Sequence, residues 1–194
     1  MNKIIGLTGG IGSGKSKVAK QFIEYGIPCY TSDQRAKNLM NSDPNIQKAI
    51  LNEFGSKSYM NGALNRKLIT DLVFKNKEKL SRLNEIVHPA VAKDFNLWVS
   101  SQNSSYVIKE TAILFENGAA EFCDHVVLVT APKDIRIQRV VDRDKCSEKD
   151  VIERMSNQWS DEKKVDHADF VIKNIKWKDT LQQIDVIYQK IKRG

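Results

Sequence analysis

The segment Gly9-Gly10-Ile11-Gly12-Ser13-Gly14-Lys15-Ser16 is the part of the sequence whose residue types and spacing most narrowly define a chemistry. Gly9, Gly14, Lys15 and Ser16 satisfy the phosphate-loop spacing G-x-x-x-x-G-K-[ST]. Small residues at these positions let successive backbone N–H groups turn inward around an anion. A helix starting near Lys15 aims the positive end of its dipole at the same spot. Lys15 adds a full charge for the β- and γ-phosphates, and the Ser16 hydroxyl is placed to ligate Mg²⁺. The plain alternative is a flexible glycine turn that matches by accident. Here the match falls between a predicted strand and a predicted amphipathic helix, as the motif requires. Ile11, Gly12, Ser13, Gly14, Lys15 and Ser16 are therefore expected to hold a nucleoside triphosphate, with Mg²⁺ at Ser16.

Two acids could serve the acceptor side. In a parallel sheet, ligands lie beyond the carboxyl ends of the strands. One predicted strand ends at Thr31-Ser32-Asp33 and another at Lys109-Glu110. One acid could orient or deprotonate an attacking hydroxyl while the other held magnesium through water. The alternative for Asp33 is a helix N-cap, and for Glu110 a strand end made polar for solubility. Arg136, Arg139 and Arg143 follow i, i+3, i+7 spacing and share one helix face, which suits a lid presenting guanidinium groups to transferring phosphates. A solvated basic face is the alternative for any one of them; Lys163 and Lys164 could contribute similarly, with ordinary lysine-rich surface as the alternative. His88-Pro89 reads as a break between two helices.

The elements that must position these groups are legible in outline. Residues 1–8 read as a buried strand, a helix follows from about Lys15, and Ile27 to Thr31 is a second short apolar run. From about Gln34 to Val99 helical signals dominate, with Asp43-Pro44 as a cap and first-turn pair and Asn61-Gly62 as a turn. Strands resume at Tyr106–Glu110, Val126–Thr130 and Phe170–Ile172. Pro132 opens the arginine helix, Ser147 to Asp150 fits a capping box for a helix reaching about Trp159, and Leu181, Ile184, Ile187 and Ile191 stripe the last helix. The expected fold is α/β: a three-layer parallel-sheet core of the P-loop NTPase type with helices on both faces. Residues 1–33, 100–140 and 165–194 would form the core, 34–99 a helical substrate-binding insertion, and 141–164 a helical lid.

Composition narrows the setting. The chain has 194 residues, 41% hydrophobic and 28% charged, which excludes disorder and fibrous repeats. No apolar stretch approaches the roughly 20 residues of a membrane span, and the start is unlike a signal peptide, so a cytoplasmic location and no membrane partner are expected. Three widely spaced cysteines, Cys29, Cys123 and Cys146, read as free thiols. His88, His125 and His167 form no metal-ligand spacing. The formal net charge of +7 admits nucleic acid, an acidic membrane surface or a polyphosphate as partner.

Over nearly its whole length the sequence resembles the dephospho-coenzyme A kinase family. The resemblance runs from Leu7-Thr8-Gly9-Gly10-Ile11-Gly12-Ser13-Gly14-Lys15-Ser16 through Asp33, His88-Pro89, Leu114-Phe115-Glu116, Gln138-Arg139, Arg143-Asp144 and Ala168-Asp169 to Ile172 and Asn174. It implies ATP-dependent phosphorylation of the ribose 3′-hydroxyl of dephospho-coenzyme A, with Asp33 as general base. The insertion would hold that substrate with His88 near it, Arg139 and Arg143 would close over ATP, and Asn174 would lie close to the adenine. Four positions depart from the family pattern: Thr31 where a second acid is common, Glu110 and Ala112 where Asp and Pro are usual, and Lys17 where threonine commonly follows Ser16.

Other readings make different demands. A GTPase needs Asn-Lys-x-Asp, and Asn76-Lys77-Glu78-Lys79 fails at its last residue. A nucleic-acid-dependent ATPase would suit the positive charge, but Trp98, Trp159 and Trp177 form no stacking array, so no nucleic-acid partner is expected. Another P-loop small-molecule kinase, or a nucleotide-binding regulatory module without catalysis, would share the loop. Monomer and trimer are equally compatible with the sequence.

Overall fold

The computed structural model describes residues 2–74 and 76–193. Internal contacts divide the chain into two units, Met1–Thr31 with Gln102–Gly194, and Ser32–Ser101. In the first unit, strand β1 (Lys3–Thr8) is buried from Ile5 onward and runs directly into the glycine loop. Helix α1 (Lys15–Glu24) follows and turns Val18, Ala19 and Phe22 inward. Strand β2 (Cys29–Thr31) comes next.

The second unit starts with α2 (Ser32–Ser42) and α3 (Pro44–Phe54). Asp43 caps α3, its side chain accepting from the N–H groups of Asn45 (2.8 Å) and Ile46 (3.3 Å), with Pro44 at the first helical position. A short antiparallel hairpin of β3 (Tyr59–Met60) and β4 (Ala63–Leu64) interrupts the helices, a feature that the helical reading of 34–99 lacks. Asn61 (φ 51°) and Gly62 (φ 78°) supply the two positive-φ residues that its tight turn requires. Two-residue strands are too short to produce an alternating pattern.

After α4 (Arg66–Phe74), α5 runs unbroken from Lys77 to Ser100 and carries Pro89 inside it. The expected break at His88-Pro89 is therefore absent. Leu83 and Ile86 before Pro89, and Ala90 after it, pack against the cluster of Ile46, Ile50, Leu64 and Ile69. Packing on both sides of the proline outweighs the one hydrogen bond it cannot donate.

The first unit resumes with β5 (Tyr106–Glu110), β6 (His125–Thr130), α6 (Lys133–Asp144), α7 (Glu148–Ser156), α8 (Asp161–Val165), β7 (Phe170–Lys173) and α9 (Trp177–Arg193). The five strands pair in parallel in the order β2-β5-β1-β6-β7. On one face, Val18 and Phe22 of α1 and Ile184, Ile187 and Ile191 of α9 pack with Ile5, Leu7, Ile108, Val127, Val129 and Ile172. Val126 and Leu128 alternate with Val127 and Val129 along β6 and are buried too, as expected of a parallel sheet covered on both sides. The connection from β1 runs past β5 to β2, whereas the one from β5 runs back past β1 to β6, so these neighbouring strands send the chain in opposite directions. The glycine loop thus sits at the switch point where such folds bind ligands.

Helix α7 begins at the Ser147–Asp150 capping box, as expected, but stops at Ser156 and not near Trp159. The Trp159 N–H donates to Glu116 Oε1 (2.9 Å), and its indole stacks on Phe115 with centroids 6.3 Å apart. Those contacts draw the chain out of the helix, and Ser160 caps α8 in its place.

Candidate active site

Within the loop, the Ser13 N–H donates to the Gly10 carbonyl (3.0 Å), and the N–H groups of Lys17 and Val18 both donate to the Gly14 carbonyl (3.0 and 3.2 Å), starting α1. Lys15 therefore stands at the first turn of a helix whose terminal N–H groups and dipole favour an anion. Its ammonium forms an ion pair with the Glu110 carboxylate. The register of β1 on β5 pairs Leu7 with Glu110, which brings the acid beside the strand that feeds the loop. Glu110 is 1% exposed, so the pair is sheltered from solvent. The buried hydroxyls of Thr8 and Ser13 have no hydrogen-bond partner among the described residues, leaving polar oxygens in and just before the loop. Ser16 is exposed one residue after Lys15. A serine hydroxyl and a carboxylate are the hard oxygen donors that Mg²⁺ prefers, so Ser16 and Glu110 fit that ion.

Arg139 reaches from α6 to both sides of the loop's exit. Its Nη1 donates to the Gly12 carbonyl (3.5 Å) and its Nη2 to the Asn174 carbonyl (3.0 Å). Asn174, just after β7, is buried; its Nδ2 donates to the Ser13 carbonyl (2.8 Å) and its Oδ1 accepts from the Thr180 hydroxyl (3.1 Å). Phosphate loop, Arg139 and Asn174 thus form one hydrogen-bonded body. Beside them a cavity of about 770 Å³ is lined by Arg136, Gln158, Trp159 and Ile175 among others.

A family model described as dephospho-CoA kinase matches residues 3–179. The chain belongs to the dephospho-CoA kinase family. The Dephospho-CoA kinase of Bacteroides fragilis is 38% identical over 192 residues, covering 96% of this chain and 94% of its own. A crystal structure from Thermus thermophilus superposes with a TM-score of 0.87 at 30% identity, over 97% of both chains. The Dephospho-CoA kinase from Campylobacter jejuni gives 0.72 at 25% identity, over 100% of this chain and 99% of its own. The chain is accordingly an ATP-using kinase with a P-loop kinase fold.

Of the residues expected to serve a dephospho-CoA kinase, Ile11 to Ser16, Arg139 and Asn174 come together in the first unit. Arg143 lies at the end of α6 with its side chain 64% exposed, held by Asp144 through Nε (2.7 Å) and Nη2 (3.0 Å). Arg136 does not join an exposed arginine face. It is 8% exposed, and its Nε donates to the Ile11 carbonyl (2.9 Å) while Nη1 pairs with Asp161 (2.6 Å). Lys164 is fully buried, pairing with Glu116 (2.8 Å) and donating to the Ala112 carbonyl (3.0 Å). It is an anchor for the segment after β5, not a surface lysine.

Asp33 and His88 belong to the second unit. Asp33 is exposed and is the second residue of α2, so it sits inside the first turn and does not occupy the cap position. There its carboxylate is favoured by the helix dipole. Two residues on, Arg35 makes a two-pronged pair with Asp94 of α5 (2.8 and 2.6 Å). His88 retains solvent contact on α5, yet the surrounding protein mass lowers its imidazole pKa, favouring the neutral ring. In the first unit, burial and then the Glu110 charge push the Cys29 thiol up to about 12, so it is an inert neighbour of the Lys15 pair.

Sequence reasoning missed Gln158 and Asp161. Gln158 Oε1 accepts from the Ile11 N–H (3.0 Å), and Asp161 binds both Arg136 and the Thr130 hydroxyl. Neither residue lies in a motif whose spacing marks it. The one available signal was the Ser160 cap, which ends α7 and brings Asp161 to a helix start.

Proposed function

We propose that the chain transfers the γ-phosphoryl group of ATP to the ribose 3′-hydroxyl of dephospho-coenzyme A, releasing ADP and coenzyme A, the last step of coenzyme A synthesis. The observation that carries the reading is Lys15 at the α1 N-terminus, in a phosphate loop that belongs to a family-matching chain. The relatives' names support the acceptor. Asp33 takes the proton of the 3′-hydroxyl as its oxygen bonds to the γ-phosphorus. The bond from that phosphorus to the β,γ-bridging oxygen breaks, and its electrons leave with ADP. Lys15 exchanges Glu110 for the β- and γ-phosphate oxygens, while Arg139 and Arg143 stabilise the charge that develops there. Residues 11–16 and Asn174 hold ATP, the latter on the adenine side. Ser16 and Glu110 would hold Mg²⁺, which neutralises phosphate charge when bound.

Residues 34–99, with His88, hold the acceptor, and residues 141–164 form a lid that excludes water, since an open site would hydrolyse ATP. Among the described residues no helix is long and apolar enough to cross a membrane. We place the reaction in the cytoplasm, on small-molecule substrates without nucleic acid.

ADP release with ATP and Mg²⁺ should depend on added dephospho-coenzyme A. Asp33→Ala should cut that turnover by more than about a hundredfold. Full activity in this variant would remove Asp33 from its role. ADP formed equally fast without acceptor would overturn the reaction itself.

A further inference from the structure

We infer that Gln158 is a positioning residue for the phosphate loop: with Arg136 it grips the two peptides that flank Ile11 and thereby sets the direction of the Gly12 N–H toward bound nucleotide phosphate. The inference rests on the nucleotide-binding role of the loop and not on the identity of the acceptor or the base.

Residues 10–13 make a four-residue turn, closed by the Ser13 N–H on the Gly10 carbonyl (3.0 Å). Gly12, its third residue, has φ +81°, the value that defines a type II turn. Type I and type II turns differ by a flip of the central peptide, here Ile11–Gly12. Glycine at the third position accepts either orientation, so contacts outside the turn decide between them. Arg136 Nε decides by donating to the Ile11 carbonyl (2.9 Å). A planar trans peptide then directs the Gly12 N–H away from Arg136. Gln158 holds the preceding peptide, its Oε1 accepting from the Ile11 N–H (3.0 Å).

The grip is itself braced. Asp161 pairs with Arg136 Nη1 (2.6 Å) and accepts from the Thr130 hydroxyl at the end of β6. Arg136 lies so close to the loop that a Cβ on Gly10 would meet its guanidinium and one on Gly12 its backbone. The chemistry of Gln158 also suits its place. A neutral amide oxygen accepts from the N–H without setting a negative charge beside a polyphosphate, whereas a glutamate would accept equally well and repel the ligand. Gln158 lies in the segment joining α7 to α8 and Asp161 opens α8, so this stretch meets the phosphate loop directly through Gln158 and by way of Arg136 through Asp161.

The test measures ATP binding by calorimetry and Ile11 amide hydrogen exchange by NMR on the full chain, and uses no turnover. In the unmodified protein the Ile11 amide should exchange slowly. Gln158→Met, of similar length without an acceptor, should speed that exchange and raise the ATP Kd about fivefold to tenfold. The Kd for dephospho-coenzyme A should stay unchanged, and the nucleotide-free melting temperature should fall by no more than a few degrees. Gln158→Glu should keep the amide protected yet still weaken ATP binding, a split that a merely structural role would not produce. Fast Ile11 exchange in the unmodified protein would overturn the inference. So would an unchanged ATP Kd in Gln158→Met or, should that variant fail to fold, in Gln158→Glu. Loss of kinase activity with these binding results intact would count against the proposed reaction alone.

Discussion

Removing the Lys15 ammonium would leave the Glu110 carboxylate buried without the cation that neutralises it. Breaking one side of a sheltered ion pair costs about 3 kcal/mol or more, because the survivor stays desolvated. Lys15→Met should therefore destabilise the nucleotide-free protein by about that amount in urea unfolding, besides abolishing phosphate binding. Adding Glu110→Gln should restore more than half of the loss, since it removes the stranded charge. An unchanged unfolding midpoint in Lys15→Met would mean that the pair does not support the fold. The loop around Lys15 was legible because its chemistry needs a local spacing. Glu110 was legible as an acid at a strand end within reach of the nucleotide, but its partner was not, because its pairing with Lys15 follows from the register of β1 on β5. Arg136 misled for a related reason: i, i+3, i+7 spacing defines a helix face but not what covers it, and here Ile11 and Asp161 do.

At the scale of elements, patterns that span a helix turn or more were legible and those carried by long-range packing were not. Of the α9 stripe, Ile184, Ile187 and Ile191 are buried as the spacing implies while Leu181 is half-buried, and Thr180 joins the buried set because its hydroxyl meets Asn174 Oδ1. The capping box of α7 was readable because both partners lie within four residues. The continuity of α5 through Pro89 was not, since the packing that enforces it comes from α3, β4 and α4. That override leaves a measurable residue. Pro89 is exposed and lacks the N–H that would donate to the Glu85 carbonyl, so Pro89→Ala restores a helix bond without opening a cavity. The variant should be more stable by about 2 kcal/mol in urea unfolding. A loss of stability would mean that the proline is favourable where it stands.

For the whole molecule, the +7 charge acquires a narrower meaning. A surplus of this kind suits any polyanion, and sequence composition does not discriminate among them. Part of the positive charge is already committed: Lys15, Arg136 and Lys164 are paired with Glu110, Asp161 and Glu116 in sheltered places. What remains exposed acts through the long-range field, which steers charged ligands and is screened by salt. Both proposed substrates are polyphosphates, whereas a nucleic-acid ATPase would use the same field to hold a strand. Raising NaCl from about 0.05 to 0.5 M shortens the screening length from roughly 14 Å to roughly 4 Å. If the field only guides small polyanions, kcat/KM for ATP should fall severalfold over that range while kcat stays nearly constant. Added DNA or RNA should leave ADP release at its acceptor-dependent rate, or slow it slightly by competing for the basic surface. Stimulation by nucleic acid that disappears steeply with salt would instead assign the surplus to phosphate-backbone contacts, each contributing to the salt slope through counterion release.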